Sequence, residues 1–558
     1  MIWENEHLGF TLAVDTETTV TDFTVTPELV TIQVHNGDKP LFVRVEDVDA
    51  FFKVHKDSVL VFHNIVFDLE VLCKHLGDRD YFHNYLERDL LRDTLLEYKL
   101  LKLAHNGIVP MKCSLDLVYS ELCNGVLDKN EDIRLTFDRY LGKPVEDIAE
   151  DHKNYALQDA VATYDIYQVL MQRIGKLPTS TRLSEQIQIA GSIALNRIYK
   201  RGIGFDLDKA QDKLKEINTR LEEYQNILAL YGWVRGMKGI KDRYDNIIES
   251  MQLNVPRTAC GNYSSKGEDL IPFKDNHFID TYLKYIEWEK MSTFIREVKR
   301  DRLHPRYNSI VNTGRTSCAK PNFQQLPRSG GIRELFVAKP GHTFIITDYS
   351  TLELCTLAQI NYKMYGHSKM KDMINAGQDL HKYFASVLLK KYIDDVTSEE
   401  RRKAKAVLFG RPGGLGKETF KVYAKVSYGV EFTDKEIKDI WKAYDIAFPE
   451  MKLYLSEEIE DAITLTGRIR GNVAYCAGKN TPFQGLAADG AKIAMYYLDH
   501  AGFDIVGFVH DEVVSEVPIE EAHDMLKEQE RIMIEAMEQV VPDVKISVES
   551  IVSKRYCK

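Results

Sequence analysis

The sequence predicts a multidomain protein, an α/β domain followed by a larger α+β body. Three observations carry that expectation. The chain has 558 residues, more than one hydrophobic core organises, so about three or four domains are expected. Its first third alternates short β-branched runs with turns and then gives way to helical stretches, the pattern of an α/β layer. Further on, two strand-like acidic segments lie far apart among long helical stretches: FIITDYSTLEL, with Asp348 at the end of its apolar run, and IVGFVHDEVVSEV, with Asp511 and Glu512 between two β-like runs.

The elements follow in order. Residues 10–45 hold TLAVD, LVTIQVH and LFVRV, rich in strand-forming residues. Residues 61–76 read as a strand running into a helix, and helical stretches continue to about 175. KLPTSTRLS at 176–184, with Pro178 and a Ser/Thr cluster, marks a domain boundary. From Glu185 to Tyr231 the pattern is helical, with Ile187, Ala190, Ile193 and Ala194 three to four apart and alternating charges beyond Lys209. Residues 255–275 are loop-rich, 280–300 helical, 335–348 a strand, and 350–465 long helices. Residues 505–517 read as a β-hairpin turning near His510 and Asp511.

Composition narrows the function classes. A chain 44% hydrophobic and 28% charged can form packed cores, which argues against disorder. The net charge of −11 gives no global nucleic-acid signature, although a local basic cleft can sit on an acidic body. The eight cysteines are scattered without a CxxC pair, so neither a zinc site nor a disulfide framework is expected. MIWENEHLGF lacks an apolar signal-peptide core, and no stretch nears ~18 uncharged apolar residues. A cytoplasmic setting with no membrane partner is expected.

A carboxylate at the tip of a buried strand is costly unless it has a partner. Two such tips brought together make an oxygen-rich site for Mg²⁺, and two ions about 3.5–4 Å apart can clamp both oxygens of a phosphoryl transfer. Asp348 and Asp511 fit that description. A second acidic set lies near the N-terminus. Asp15 and Glu17, in LAVDTET, are two apart on a strand and face one side. Asp68 follows in FHNIVFDLEVL, with Asn64 one turn before it, and Tyr155 and Asp159 are four apart on one helix face. Four acids and a tyrosine can hold two Mg²⁺ and orient a water for attack on a phosphodiester. DxE alone reads equally as a solvated strand end; the three segments in this order favour the metal site. Arg401, Lys405 and Phe409, spaced by four, stack along one helix face over about 12 Å. The cations suit triphosphate oxygens, with a solvated basic face as the alternative.

DTE, HNxxFD and YxxxD resemble the three motifs of proofreading 3′–5′ exonucleases, and Asp93 in RDTLLEYKLL matches a segment that follows them. The resemblance implies metal ligands Asp15, Glu17, Asp68 and Asp159, with Tyr155 orienting the water. The larger C-terminal part resembles the family A DNA polymerases of the Klenow-like and phage replicative type. DYSTLEL is similar to motif A, RRKAKAVLFG to motif B and VHDE to motif C, with further matches at 312–327, 379–381, 466–470 and 484–489. The implied fold is an RNase H-like exonuclease domain (1–178) before a right-hand polymerase. Its thumb spans 179–300, its palm 301–365 and 451–558, built on an antiparallel sheet, and its helical fingers 366–450.

The implied roles follow. Asp348 and Asp511 hold two Mg²⁺, with Glu512 an auxiliary acid or a solvated turn residue; two more Mg²⁺ serve the exonuclease site, with Mn²⁺ as a substitute. Arg401, Lys405, Phe409, His381 and Tyr349 contact the incoming deoxynucleoside triphosphate, and Glu353 resembles the gate against a ribose 2′-hydroxyl. Arg315, Asn322, Gln324, Arg468, Gln484 and His510 resemble primer–template contacts; Arg315 and Arg468 read equally as surface arginines. The chain departs from the family at two places. Gly413 stands where motif B normally has Tyr, in FGRPGGLG, so the fingers helix is expected to end early, with Arg411 or a neighbour covering the template base. Cys355 replaces the Arg that usually ends motif A.

The segment 181–300 resembles a short thumb with no long insertion for a processivity partner. A start almost directly at the exonuclease domain suggests a monomeric phage or plasmid replicative enzyme. Helicase and single-strand-binding protein are the expected replisome partners. The competing readings are a 3′–5′ exonuclease whose polymerase half only binds DNA, and a replisome scaffold with both sites impaired.

Overall fold

The computed structural model describes residues 1–558 except 21, 23, 128, 179, 180, 329 and 558. Residues 179 and 180, inside the expected boundary 176–184, lie outside the described residues. The N-terminal sheet runs, edge to edge, Pro40–Val43, Leu29–His35, Thr11–Thr18, Val59–Phe62, Leu91–Asp93. The first three strands are antiparallel and the last two add in parallel. Leu12 and Val14 enter a core with Leu69 and Leu72 of helix Ile65–Leu76. Strand alternation therefore turns Asp15 and Glu17 to the other face, where helix Glu150–Ile174 lies across the sheet.

The second sheet orders Asp504–Val509, Glu512–Pro518, His342–Tyr349 and Val548–Ser553, all antiparallel. Its first three strands are buried on both faces, while Val548–Ser553 forms a more exposed edge. Ile345 packs into a core with helices Leu352–Tyr365, Tyr475–His500 and Ala522–Glu538, while Phe344 and Ile346 meet Phe205, Phe323 and Phe336. The hairpin expected at 505–517 is present, and His510 takes φ 61 in its turn. The strand expected from 335 begins only at His342, because Arg333–Leu335 forms a short 3₁₀ turn.

The helix expected over Glu185–Tyr231 is two helices, Glu185–Arg201 and Leu207–Leu230. Gly202, at φ 64, breaks it: Ile203–Gly204 pairs with Arg302–Leu303, and Asp206 caps the second helix by accepting from the Lys209 N–H at 3.0 Å. Tertiary strand pairing overrides a helical pattern here. Helix Leu207–Leu230 packs along His277–Glu297 above an aromatic cluster of Trp233, Phe278, Tyr282 and Tyr285. Helix Ser398–Gly410 starts at a Thr397–Glu400 capping box and ends where Arg411–Gly413 forms one 3₁₀ turn.

One charge cluster ties the N-terminal unit to the rest. Asp499, fully buried near the end of helix Tyr475–His500, accepts from Arg197 and from Arg201 at 2.5 Å, and pairs with Arg79 at 2.6 Å. Arg79 belongs to the N-terminal unit, and the other two to helix Glu185–Arg201. The surrounding guanidinium charges hold the Asp499 carboxyl below its usual range against the opposing effect of burial. Asp499→Ala removes the carboxylate that three arginines share, although Arg197 keeps Asp80 at 3.1 Å and Arg201 keeps Asp504 at 3.2 Å. It is expected to cost about 2–3 kcal/mol, below the ~3–5 of a fully buried pair because the arginines are partly solvated. Thermal unfolding checks this; an unchanged midpoint would mean that the cluster carries no stability.

Two candidate active sites

Asp15, Glu17, Asp68, Tyr155 and Asp159 line one cleft of about 850 Å³, together with Asn64, Lys129 and Arg134. Local bonds hold Asp68, Asp15 and Asp159. The Thr16 N–H and hydroxyl both donate to Asp68 Oδ1, at 3.1 and 2.7 Å. Gln33, directly across from Asp15 in the sheet register, donates to its Oδ2 at 2.5 Å. Lys129 Nζ donates to both oxygens of Asp159, at 2.9 and 2.7 Å. Asp93, buried, shapes the turn before Asp68: it accepts from the N–H groups of Asn64 (2.9 Å) and Ile65 (3.2 Å) and caps the next helix through Leu95 (3.0 Å).

This packing is electrostatically costly. Burial, reinforced by mutual repulsion, pushes Glu17 up to about 8 and raises Asp15 well above the carboxylate range. Burial likewise pushes Asp68 up to about 7 and raises Asp159, which Lys129 partly offsets. Among the described residues no three such side chains close into a preformed metal cage. The cleft is open, and Asp159 is turned onto Lys129. An all-oxygen donor set that repels itself fits hard divalent cations, whose charge removes the repulsion.

At the second site Asp348 ends its strand directly opposite Glu512, and Asp511 sits in the adjoining turn. Burial and the Asp348 charge push Asp511 up to about 7. Glu512 is not a solvated turn residue: it is 6% exposed and accepts from the Tyr556 hydroxyl at 2.7 Å. Glu353, on the first turn of helix Leu352–Tyr365, forms an ion pair with Arg315, which places Arg315 beside the acids. Arg401 donates to Asp379 Oδ2 at 2.7 Å, and Asp379 caps the helix that begins at Leu380 by accepting from His381 N–H at 2.9 Å. The Phe409 ring lies 5.8 Å from His381, and Lys405 Nζ lies 5.9 Å from the Phe409 ring. Burial pushes His381 down to about 4, so it is neutral at pH 7. The expected row Arg401, Lys405 and Phe409 thus exists and gathers His381.

Other expected contacts are placed elsewhere. Tyr349 follows Asp348 on the strand, so it faces the opposite side; it is buried, and its hydroxyl donates to Met533 O at 2.6 Å inside the core. Arg468 is 1% exposed, ion-paired with Asp489 and bonded to Ser184 Oγ at 3.3 Å, so it is neither a surface arginine nor open to DNA. Gln324 is buried, donating to Thr316 Oγ1 at 2.7 Å. Asn322 and Gln484 are half-buried, and His510 is exposed in its turn. Arg411, expected to cover a template base, is turned onto Trp441, 4.3 Å from its ring. The motifs did not single out Gln33, Thr16, Lys129, Asp379 and Tyr556. Gln33 had a signal, its place opposite Asp15 in a two-strand register, and Asp379 lies beside His381 in DLH; Tyr556 and Lys129 had none.

The raised acids predict a pH dependence. The native state keeps protons on Asp68 and Glu17 up to about 7 and 8, whereas unfolded carboxyls release them near 4.3. The metal-free native state therefore binds more protons, and its stability falls as pH rises through that window. Added Mg²⁺ should raise the melting temperature more above pH 8 than near pH 5. An equal rise at both would place metal binding elsewhere.

Known proteins match both halves of the chain. The family model for the 3′–5′ exonuclease matches residues 3–175, and the model for DNA polymerase family A matches residues 207–558. DNA polymerase I of Aquifex aeolicus is 26% identical, with 92% of this chain and 90% of that protein aligned. DNA polymerase I of Bacillus subtilis is 27% identical over 72% of this chain, which spans 47% of that longer protein. Among solved structures, the POL domain of Pol1 from M. smegmatis, in complex with DNA primer-template and dNTP, superposes with a TM-score of 0.77 at 20% identity, covering 99% of this chain and 96% of that one. Members of these families work with divalent metal ions. The chain belongs to DNA polymerase family A and carries a 3′–5′ exonuclease domain ahead of the polymerase domain.

Proposed function

We propose that the protein extends a DNA primer along its template from deoxynucleoside triphosphates and trims the same 3′ end at a separate site. The observation that carries this reading is the meeting of Asp348 and Asp511 at one end of the sheet's strands, with a second, independent carboxylate cluster at Asp15, Glu17, Asp68 and Asp159. In this reading the domains are those expected: exonuclease 1–178, thumb 179–300, palm 301–365 and 451–558, fingers 366–450. The similar curated proteins are bacterial DNA polymerases I, so the phage or plasmid setting draws no support from them.

Asp348 and Asp511 would hold the polymerase metals; Asp15, Glu17, Asp68 and Asp159 would hold those of the exonuclease. Bound Mg²⁺ supplies Lewis-acid activation of the attacking oxygen and neutralises charge on the leaving group. Arg401 and Lys405 bind triphosphate oxygens, the guanidinium held in place by Asp379. Phe409 covers the sugar, and neutral His381 offers a hydrogen bond without adding charge. Glu353, paired with Arg315, closes the space where a ribose 2′-hydroxyl would sit. At the other site Tyr155 orients the attacking water. Base selection falls to pairing with the template, so the protein checks shape and holds phosphates.

Asp348→Ala is expected to lower primer extension by at least about a hundredfold and to spare hydrolysis of single strands. Retained extension would remove Asp348 from the site. Joint Asp15→Ala and Glu17→Ala should do the reverse, and a primer still degraded in Mg²⁺ would move the nuclease elsewhere. If Phe409 covers the sugar, Phe409→Tyr should raise dideoxynucleotide incorporation relative to deoxynucleotide; an unmoved ratio would sink that placement.

A further inference from the structure

One helical turn beyond Phe409, the row Arg401, Lys405, Phe409 reaches Gly413, where there is no side chain. Gly414 follows at φ 74, a conformation that favours glycine. These two residues lie flat on the first turns of helix Tyr475–His500. A Cβ on Gly413 would overlap the Asn480 amide, and one on Gly414 would overlap the Tyr475 ring. Asn480 Nδ2 donates to Gly413 O at 3.3 Å, and Cys476 Sγ to Gly414 O at 3.5 Å. The row of nucleotide-facing side chains therefore ends in a smooth backbone patch with an aromatic ring beside it.

That ring is exposed and anchored at once. Tyr475 is 44% exposed, yet its hydroxyl donates to Leu455 O at 2.6 Å. Lys479 Nζ lies 5.5 Å from the ring centre and is itself fixed on Glu457 O at 2.7 Å. A half-exposed ring whose polar end is already bonded is held in a fixed orientation and can offer its remaining apolar surface to a flat ligand. Arg411, the other side chain of this stretch suited to stacking, is committed to Trp441. Asn480 and Gln484, the latter an expected primer–template contact, follow on the same helix. The flat ligand chemistry that stacks on an aromatic regardless of its edge pattern is a nucleobase.

We infer that Tyr475 is a stacking platform for the unpaired template base next to be copied, set at the outer end of the row formed by Arg401, Lys405 and Phe409. The inference rests on the polymerase reading above and extends it to a residue outside the three polymerase motifs. The test places 2-aminopurine at that template position and reads its fluorescence in the complex without nucleotide, where no chemistry occurs. Wild type and Tyr475→Phe should quench it on binding. Tyr475→Ala should lose most of the quenching and raise the KM for the matching deoxynucleotide about five- to a hundredfold. Hydrolysis of single strands at the N-terminal site reports that each variant is folded. Equal quenching by bound wild type and Tyr475→Ala, or a Phe variant that behaves like Ala, would overturn the platform. Failure of wild type to bind primer–template by anisotropy would instead overturn the polymerase reading, and the platform with it.

Discussion

The antiparallel pairing of His342–Tyr349 with Glu512–Pro518 is the constraint on which the polymerase half depends. It joins two segments far apart in the chain and sets Asp348 opposite Glu512 in register. A shift of one residue would turn Asp348 into the core and bring Tyr349 out. Burial on both faces prevents that slip: Ile345 and Phe344 are fixed in separate cores on opposite sides of the sheet. The acids are thus positioned by apolar packing that takes no part in the chemistry.

The two sites manage carboxylate charge differently. In the N-terminal cleft the acids crowd together, with Lys129 only partly offsetting Asp159 and Glu17, so their proton affinity rises. Around the polymerase site many acids are already matched: Glu353 by Arg315, Asp379 by Arg401, Glu512 by the Tyr556 hydroxyl. Asp511 is lifted to about 7 there by burial and the Asp348 charge. The first site gains most from divalent charge, and the second is organised before any ligand arrives.

Much of this was legible in the sequence, because strand and helix periods are local. Asp15 and Glu17 on one strand face, Tyr155 and Asp159 on one helix, and the Arg401–Lys405–Phe409 row follow from spacing alone. What escaped is decided at long range. Gly202 breaks a helical pattern because strand Arg302–Leu303 pairs there, about a hundred residues on. Arg468 looks like a DNA contact until Asp489 is seen beside it, and Tyr349 shares a motif with Asp348 but not a direction. Nothing in FGRPGGLG announces that a ring from a distant helix closes over its glycines.

The Asp499 cluster bears on how the two sites share one DNA end. Three arginines, one from the nuclease unit and two from the helix that follows it, converge on a single carboxylate at the end of a helix that also carries Gln484. Glu185 adds a second tie by accepting from the Asp93 N–H at 2.8 Å, beside the turn that sets Asp68. With both centres braced against one scaffold, their separation is a fixed length. In the proposed function, moving from synthesis to trimming would then fall to the nucleic acid: the primer terminus would unpair and travel that distance, and the ease of melting the last few base pairs would set how often an error is removed.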